Sequence, residues 1–251
     1  MAYPSPRSLS FGSVAERYER YRPGYGDDVV DLLLASGPSS AIEVGAGTGK
    51  ATRVVAARGV PVSAVEPDPD MAAVLARTTA GLPVTIVPTT FEQLHAEPVD
   101  LLYAAAAFHW TDPDTRWQHA AELLVPGGWF GCLGGPTNIA DEALDAEVGR
   151  VRREAVGGER TSGARGSDDG TAWPANELRD SPLFDEVVEH DLTRFYDLAA
   201  DDLIGQMSTV SAFIVLPDAQ RDDVLGRIRA MLPDPVPVRR DLQLHLARRV
   251  A

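Results

Sequence analysis

The sequence predicts a doubly wound α/β fold with seven strands, most of them parallel, and a helical cap. Three observations carry this. Short apolar runs alternate with helix-patterned segments from residue 41 to residue 135. The first of those runs leads straight into a glycine-rich turn, "VGAGTGK". The alternation then stops, and amphipathic stretches take over before two further strand-like segments.

Taken in order, "SAIEV" is short and apolar, as a strand buried on both faces is. "TGKATRVVAARG" reads as a helix, with Val54, Val55 and Arg58 on two faces and Gly59 as its stop. "VPVSAVE" is a second strand. In "DPDMAAVLART", Asp68 is a good N-cap and Pro69 suits the first helical position, with Met71, Val74 and Leu75 on one face. "PVTIV" and "VDLLYAAAA" are strands three and four. A helix opening at Asp112-Pro113 places Trp117, Ala120, Ala121 and Leu124 at helical spacing. "GGWFGCLGG" is strand five. Residues 137–158 look helical and polar, and 157–170 look like a loop, the most mobile of the chain for want of apolar anchors. Asp185–Leu192 and the last ten residues have strand character, and 199–213 and 217–232 are amphipathic. The expected organisation is one domain over 1–251. Its core spans about 31–135, 183–198 and 236–251, and its cap about 1–30, 136–182 and 199–235.

The 251 residues are 44% hydrophobic and 24% charged, with a formal net charge of −14. Such a chain buries a substantial core. Over most of its surface it repels nucleic acid and acidic membranes. The single cysteine, Cys132, cannot form an internal disulfide and reads as a core residue. The five histidines show no metal-ligand spacing, and no metal is expected. No secretory h-region and no 18-residue apolar run occurs in this sequence, so a cytoplasmic protein without a membrane partner is the expectation.

Three ligands compete for the glycine loop. A nucleoside triphosphate loop requires glycine five residues before Gly49 and a hydroxyl after Lys50; Val44 and Ala51 stand there. A nicotinamide fingerprint fits Gly45 and Gly47, but its third glycine position is Lys50. The remaining pattern is acid-x-G-x-G-x-G over Glu43, Gly45, Gly47 and Gly49, with Ala46 inside the turn. Glu66, 21 residues after Gly45, closes the second strand, where a carboxylate can accept both hydroxyls of an adenosine ribose. An acid ahead of the first glycine suits a ligand with an ammonium group and opposes a pyrophosphate.

This stretch resembles the cofactor loop of class I S-adenosylmethionine-dependent methyltransferases. The resemblance continues through Phe91 and Glu92 in "TTFEQL", Asp100 and "YAAAAFHW", and "LVPGGWF" at 124–130. The front, "FGSVAERYERYRPGYG", and the "HW" pair are similar to the small-molecule branch that includes trans-aconitate-type enzymes and methyltransferase type 11. It implies a Rossmann-like sheet with an antiparallel last strand, S-adenosyl-L-methionine as cofactor with S-adenosyl-L-homocysteine as product, and a small-molecule acceptor. It also implies a cofactor site built from Glu43, Gly45, Ala46, Gly47, Gly49, Glu66, Pro67, Phe91, Glu92 and Ala104, with Tyr18 and Arg22 closing over the cofactor carboxylate. His109 and Trp110 are expected in contact with the methionine end or the acceptor. His109, whose imidazole would titrate near neutrality, is the candidate base if the acceptor must lose a proton. Lys50 is expected on a helix surface, and His119 and His245 in structural or exposed places. A non-catalytic binding protein of the same fold and a nicotinamide oxidoreductase stay open as alternatives.

Overall fold

The computed structural model describes residues 10–156 and 173–251. The stretch read from sequence as the loop 157–170 lies outside the described residues.

A 3-10 turn, Phe11–Val14, leads into α1 (Ala15–Tyr21) and then α2 (Asp27–Leu33). The alternating layer follows: β1 (Ala41–Val44), α3 (Thr52–Ala56), β2 (Val62–Val65), α4 (Pro69–Thr78), β3 (Val84–Val87), β4 (Val99–Ala105), α5 (Arg116–Glu122) and β5 (Leu124–Gly134). Beyond it come β6 (Thr137–Ile139), α6 (Glu142–Val156), α7 (Ala175–Asp180), β7 (Phe184–Leu198), α8 (Ala200–Ser208), α9 (Ser211–Ile214), α10 (Asp218–Met231) and β8 (Val236–Arg249).

The sheet order is β3-β2-β1-β4-β5-β8-β6, with β7 also paired to β8. Strands β1 to β5 are mutually parallel. β8 runs antiparallel to β5, placing Phe130 opposite Ala247 and Leu133 opposite Leu244. All four residues of β1 are buried, because helices cover both faces of the sheet. Chain order proceeds from β1 outward through β2 and β3, then returns to β4 on the other side of β1. The carboxyl ends of β1 and β4 therefore flank a topological switch point, where open α/β sheets form their ligand crevice.

Five elements differ from the sequence reading. The sheet has eight strands among the described residues, not seven. The extra one is the three-residue β6, which Gly135 and Pro136 turn out of β5 and against β8. The helix after the glycine loop is only five residues, since Gly45, Gly47 and Gly49 all take positive φ and hold 45–50 in turns. α5 begins at Arg116, and Leu124, read as its last inward residue, is the first residue of β5. β7 and β8 run to 15 and 14 residues, longer than their sequence patterns suggested. Their far ends leave the parallel sheet, and Val236 and Val238 pack there with Ile139, Val151, Leu203 and Ile228 in an apolar cluster of their own.

Candidate functional site

A cleft opens at the switch point. It encloses about 810 Å³, counting the part open to solvent, within the roughly 300–1,000 Å³ usual for small-molecule and cofactor sites. Its floor is the end of β1 with Gly45 and Gly47; one wall is Val65, Glu66, Pro67 and Met71. The other wall is Ala105, Ala106, Ala107 and Trp110, and Thr90, Phe91 and Glu92 line the end beyond β3. Phe11 and Tyr18 cover it.

The glycines are required by geometry. Gly45 has φ +67°, and a Cβ there would lie 2.6 Å from the Ala107 Cβ. Gly49 has φ +86°, with Leu75 Cδ1 2.7 Å from any added Cβ. Gly47, at φ +58°, has no atom within 4 Å of that point, so it leaves open space facing the cleft. Ala106 is a non-glycine residue at φ 56°, beside the crevice. Such backbone strain collects at functional sites.

Glu66 ends β2 and is 6% exposed. Its Oε2 accepts from the Gly47 N–H at 2.7 Å and its Oε1 from the Asp68 N–H at 2.9 Å. One carboxylate thus ties the glycine loop to the start of α4 and retains acceptor capacity at the cleft. Burial pushes its pKa up to about 7, against the lowering effect of these two backbone bonds. Asp68 caps α4 by accepting from the Asp70 and Met71 N–H groups.

Glu43 does not line the cleft, contrary to its expected direct role. It is 1% exposed beneath the loop, where its Oε2 accepts from Thr52 Oγ1 at 2.6 Å and from the Tyr103 hydroxyl at 2.8 Å. Its Oε1 is buried without a hydrogen-bond partner. Burial raises its pKa to about 7 in spite of the two hydroxyl donors, with the neighbouring Glu66 adding to the rise. Ala46, Gly49 and Ala104 lie behind the wall and shape it through the backbone.

Three further side chains sit differently from expectation. Arg22 is the C-cap of α1 and stacks on Tyr18, its guanidinium carbon 5.3 Å from the ring centre. Its N–H groups go to the Thr209 hydroxyl (2.8 Å) and carbonyl (2.9 Å), away from the cleft. His109 is off the cleft wall and packs between Trp110 (4.7 Å) and Trp173 (6.4 Å). Burial, with the Arg116 charge nearby, pushes its pKa down to about 4, so it is neutral at pH 7 rather than titrating there. Lys50 is no surface lysine: it is 9% exposed and donates to the Glu19 carbonyl at 2.7 Å, fastening α1 over the loop. Glu92 lines the cleft while accepting from the Asp112 N–H at 3.0 Å.

Sequence reasoning did not single out Phe11, Met71, Thr90 or Thr111 as cleft residues. Met71 had a signal, since it is the first inward position of a helix capped directly after Glu66. Phe11 had none, because its place depends on tertiary contacts with Tyr18 and Trp110, each 6.1 Å away between ring centres.

Comparison with known proteins decides what kind of site this is. Residues 42–132 match the family model described as "Methyltransferase domain". An uncharacterized methyltransferase of Mycobacterium tuberculosis is 33% identical over 228 residues, covering 90% of this chain and 86% of that one. This chain belongs to the class I S-adenosylmethionine-dependent methyltransferases. Membership displaces the nicotinamide reading of the glycine loop. A structure described as a type II methyltransferase from Anaeromyxobacter dehalogenans shares the methyltransferase fold, with a TM-score of 0.65 and 24% identity over 92% of this chain and 99% of that one. The fold is also that of the phosphoethanolamine N-methyltransferase 2 of Haemonchus contortus, solved with phosphomonomethylethanolamine and S-adenosylhomocysteine. There the TM-score is 0.53 and the identity 13%, over 96% of this chain and 58% of that one. The residues of this methyltransferase suit its cofactor on three counts. Gly47 leaves a cradle that a Cβ would fill, Glu66 offers acceptors at the rim, and the Glu43 oxygen stays unpaired beneath the loop.

Proposed function

We propose that the cleft transfers a methyl group from S-adenosylmethionine to a small-molecule acceptor on oxygen, nitrogen or carbon. The observation that carries this is Glu66, a buried carboxylate at the end of β2. It is hydrogen-bonded to the glycine loop and opens onto a cleft with apolar walls. Glu66 accepts the two ribose hydroxyls. Phe91 and Met71 provide apolar faces for the adenine, with Pro67 and Glu92 at its edge. Gly45 and Gly47 let the backbone approach the ligand. Glu43 balances a cationic ammonium from below the loop through its unpaired oxygen. Tyr18, held by Arg22, closes the methionine end.

When bound, the cofactor supplies a methyl carbon made electrophilic by a cationic sulfur. The chain contributes alignment and exclusion of water, and alignment alone can remove ~7–11 kcal/mol of barrier in favourable cases. Phe11, Tyr18 and Trp110 wall off solvent. An imidazole with its pKa near 4 is a weak base at neutral pH. We therefore assign His109 to orienting Trp110 rather than to proton removal. A cleft covered by Phe11 and Tyr18 and a net charge of −14 favour a small acceptor over nucleic acid.

The test incubates the purified chain with methyl-labelled cofactor and a cytosolic metabolite extract. The proposal expects label in the small-molecule fraction. Label confined to protein or nucleic acid contradicts it, and cofactor binding without any transfer supports a non-catalytic role.

A further inference from the structure

Strand β8 presents Val236, Val238, Leu242, Leu244 and Leu246 to one face of the sheet, and all five are buried. The sixth position of that file is Arg240. A guanidinium in an apolar file costs desolvation unless something pairs with it. Arg240 is incompletely paired. One terminal N–H donates to the Gly24 carbonyl at 2.6 Å, and the guanidinium lies 5.4 Å from the Tyr25 ring centre. Its Nε is buried with no hydrogen-bond partner. Among the described residues no carboxylate forms an ion pair with it, whereas the neighbouring arginines are paired, Arg194 with Asp28 and Arg239 with Asp241.

The location gives this cation a use. Arg240 stands opposite Thr137, three residues beyond Gly134 at the carboxyl end of β5. The part of the file on one side of it, Leu242, Leu244 and Leu246, packs in one cluster with Tyr103 and Ala105 of β4, and Ala105 lines the cleft; on the other side Val236 and Val238 belong to the separate cluster with Ile139 and Ile228. Tyr25 packs against the first of these clusters. A guanidinium with no carboxylate partner, backed by an aromatic ring and set off the cleft wall beyond the carboxyl end of β5, is a receptor for an oxyanion.

We propose that Arg240 determines acceptor specificity: its buried Nε–H, with Tyr25 against the guanidinium, receives a carboxylate or phosphate group of the acceptor, remote from the atom that is methylated. The inference rests on the reading of the cleft as a methyl-transfer site. It names the acceptor class as a small organic anion.

The experiment uses the full chain saturated with S-adenosylhomocysteine, titrated calorimetrically at matched ionic strength with citrate and, separately, with inorganic phosphate. The variants are Arg240→Met and Arg240→Lys. Wild type is expected to bind one of the two probes saturably, and which one distinguishes a carboxylate from a phosphate acceptor. Arg240→Met is expected to weaken that binding roughly 10- to 100-fold, the range for hydrogen bonds to a charged group. It is also expected to melt at or above wild type, because methionine completes the apolar file. Arg240→Lys is expected to retain part of the affinity. Equal anion binding by wild type and Arg240→Met overturns the proposal, as does binding of neither probe by wild type. A Met variant that melts lower and binds anion normally assigns Arg240 to holding the Gly24 turn. A loss of S-adenosylhomocysteine affinity in Arg240→Met also overturns it, since the guanidinium then serves the cofactor carboxylate. Failure of wild type to bind S-adenosylhomocysteine at all contradicts the methyl-transfer reading itself and is seen before any anion is added.

Discussion

Glu43 and Glu66 are two buried carboxyls under and beside one glycine loop, and both have pKa values raised by burial to about 7 from an ordinary 4.5. Between those values the unfolded chain has released these protons while the folded chain keeps them. Raising the pH therefore favours unfolding. Their contribution to stability is complete below about 4.5 and is lost as the pH rises through about 7. Glu43→Gln keeps an acceptor for Thr52 and Tyr103 but cannot ionise. Its melting temperature is expected to gain on wild type as the pH rises from about 4.5 to about 7, the window between the two values; parallel melting curves across that window contradict the assignment. His109 makes the opposite kind of prediction. Its depressed pKa leaves no imidazole titration near neutrality, so the rate profile should lack a limb at about 6.5. His109→Ala should lower the melting temperature by loosening Trp110 and Trp173, with a rate loss below the roughly 100-fold that marks removal of a general base. A larger loss with an unchanged melting temperature restores His109 as the base. At this scale the sequence was only partly legible. Acid and glycine spacing located the loop and Glu66, but the inward turn of Glu43, the burial of Lys50 and the pKa of His109 all depend on neighbours remote in the chain.

Among the elements, α1 bears most directly on function, because its Tyr18 covers the cleft. It has little core of its own; Ala15 is its one buried residue. Polar ties hold it instead: Glu19 to Lys50 and Arg53, Glu16 to Arg77, and Arg22 to Thr209. Exposed pairs such as Glu16–Arg77 contribute about 0–1 kcal/mol each. The half-buried Arg22–Thr209 pair at the end of α8 anchors the helix more firmly. Arg22→Ala should raise amide exchange across residues 11–21 by about tenfold or more while the sheet is unaffected, as local opening requires. Unchanged exchange there assigns the anchoring to the Glu19 ties and to the packing of Phe11 and Tyr18. The regular elements were legible wherever periodicity ran long, as in α4 and β4. The five-residue α3, the late start of α5 and the three-residue β6 were not. Their limits are set by loop dihedrals and by pairing to β8, and neither leaves a periodic trace.

At the scale of the whole molecule, five parallel strands bring Gly45, Glu66 and Ala105 to one edge, although they are 60 positions apart from first to last. The alternation of strand and helix made that much readable, since a parallel doubly wound sheet has few topologies and one crevice. The long β7–β8 ribbon and the cluster it carries were beyond reach, because nothing local distinguishes a strand that stays in the sheet from one that leaves it. The central claim is that the crevice holds S-adenosylmethionine by way of Glu66. Its most direct test is calorimetric titration of the full chain with S-adenosylhomocysteine, beside the same titration of Glu66→Ala. The account predicts one site per chain and a loss of about 1.5–3 kcal/mol in the variant, the value of hydrogen bonds to a buried charged group. A folded Glu66→Ala chain with an unchanged dissociation constant, or a folded wild type that takes up no ligand, contradicts it.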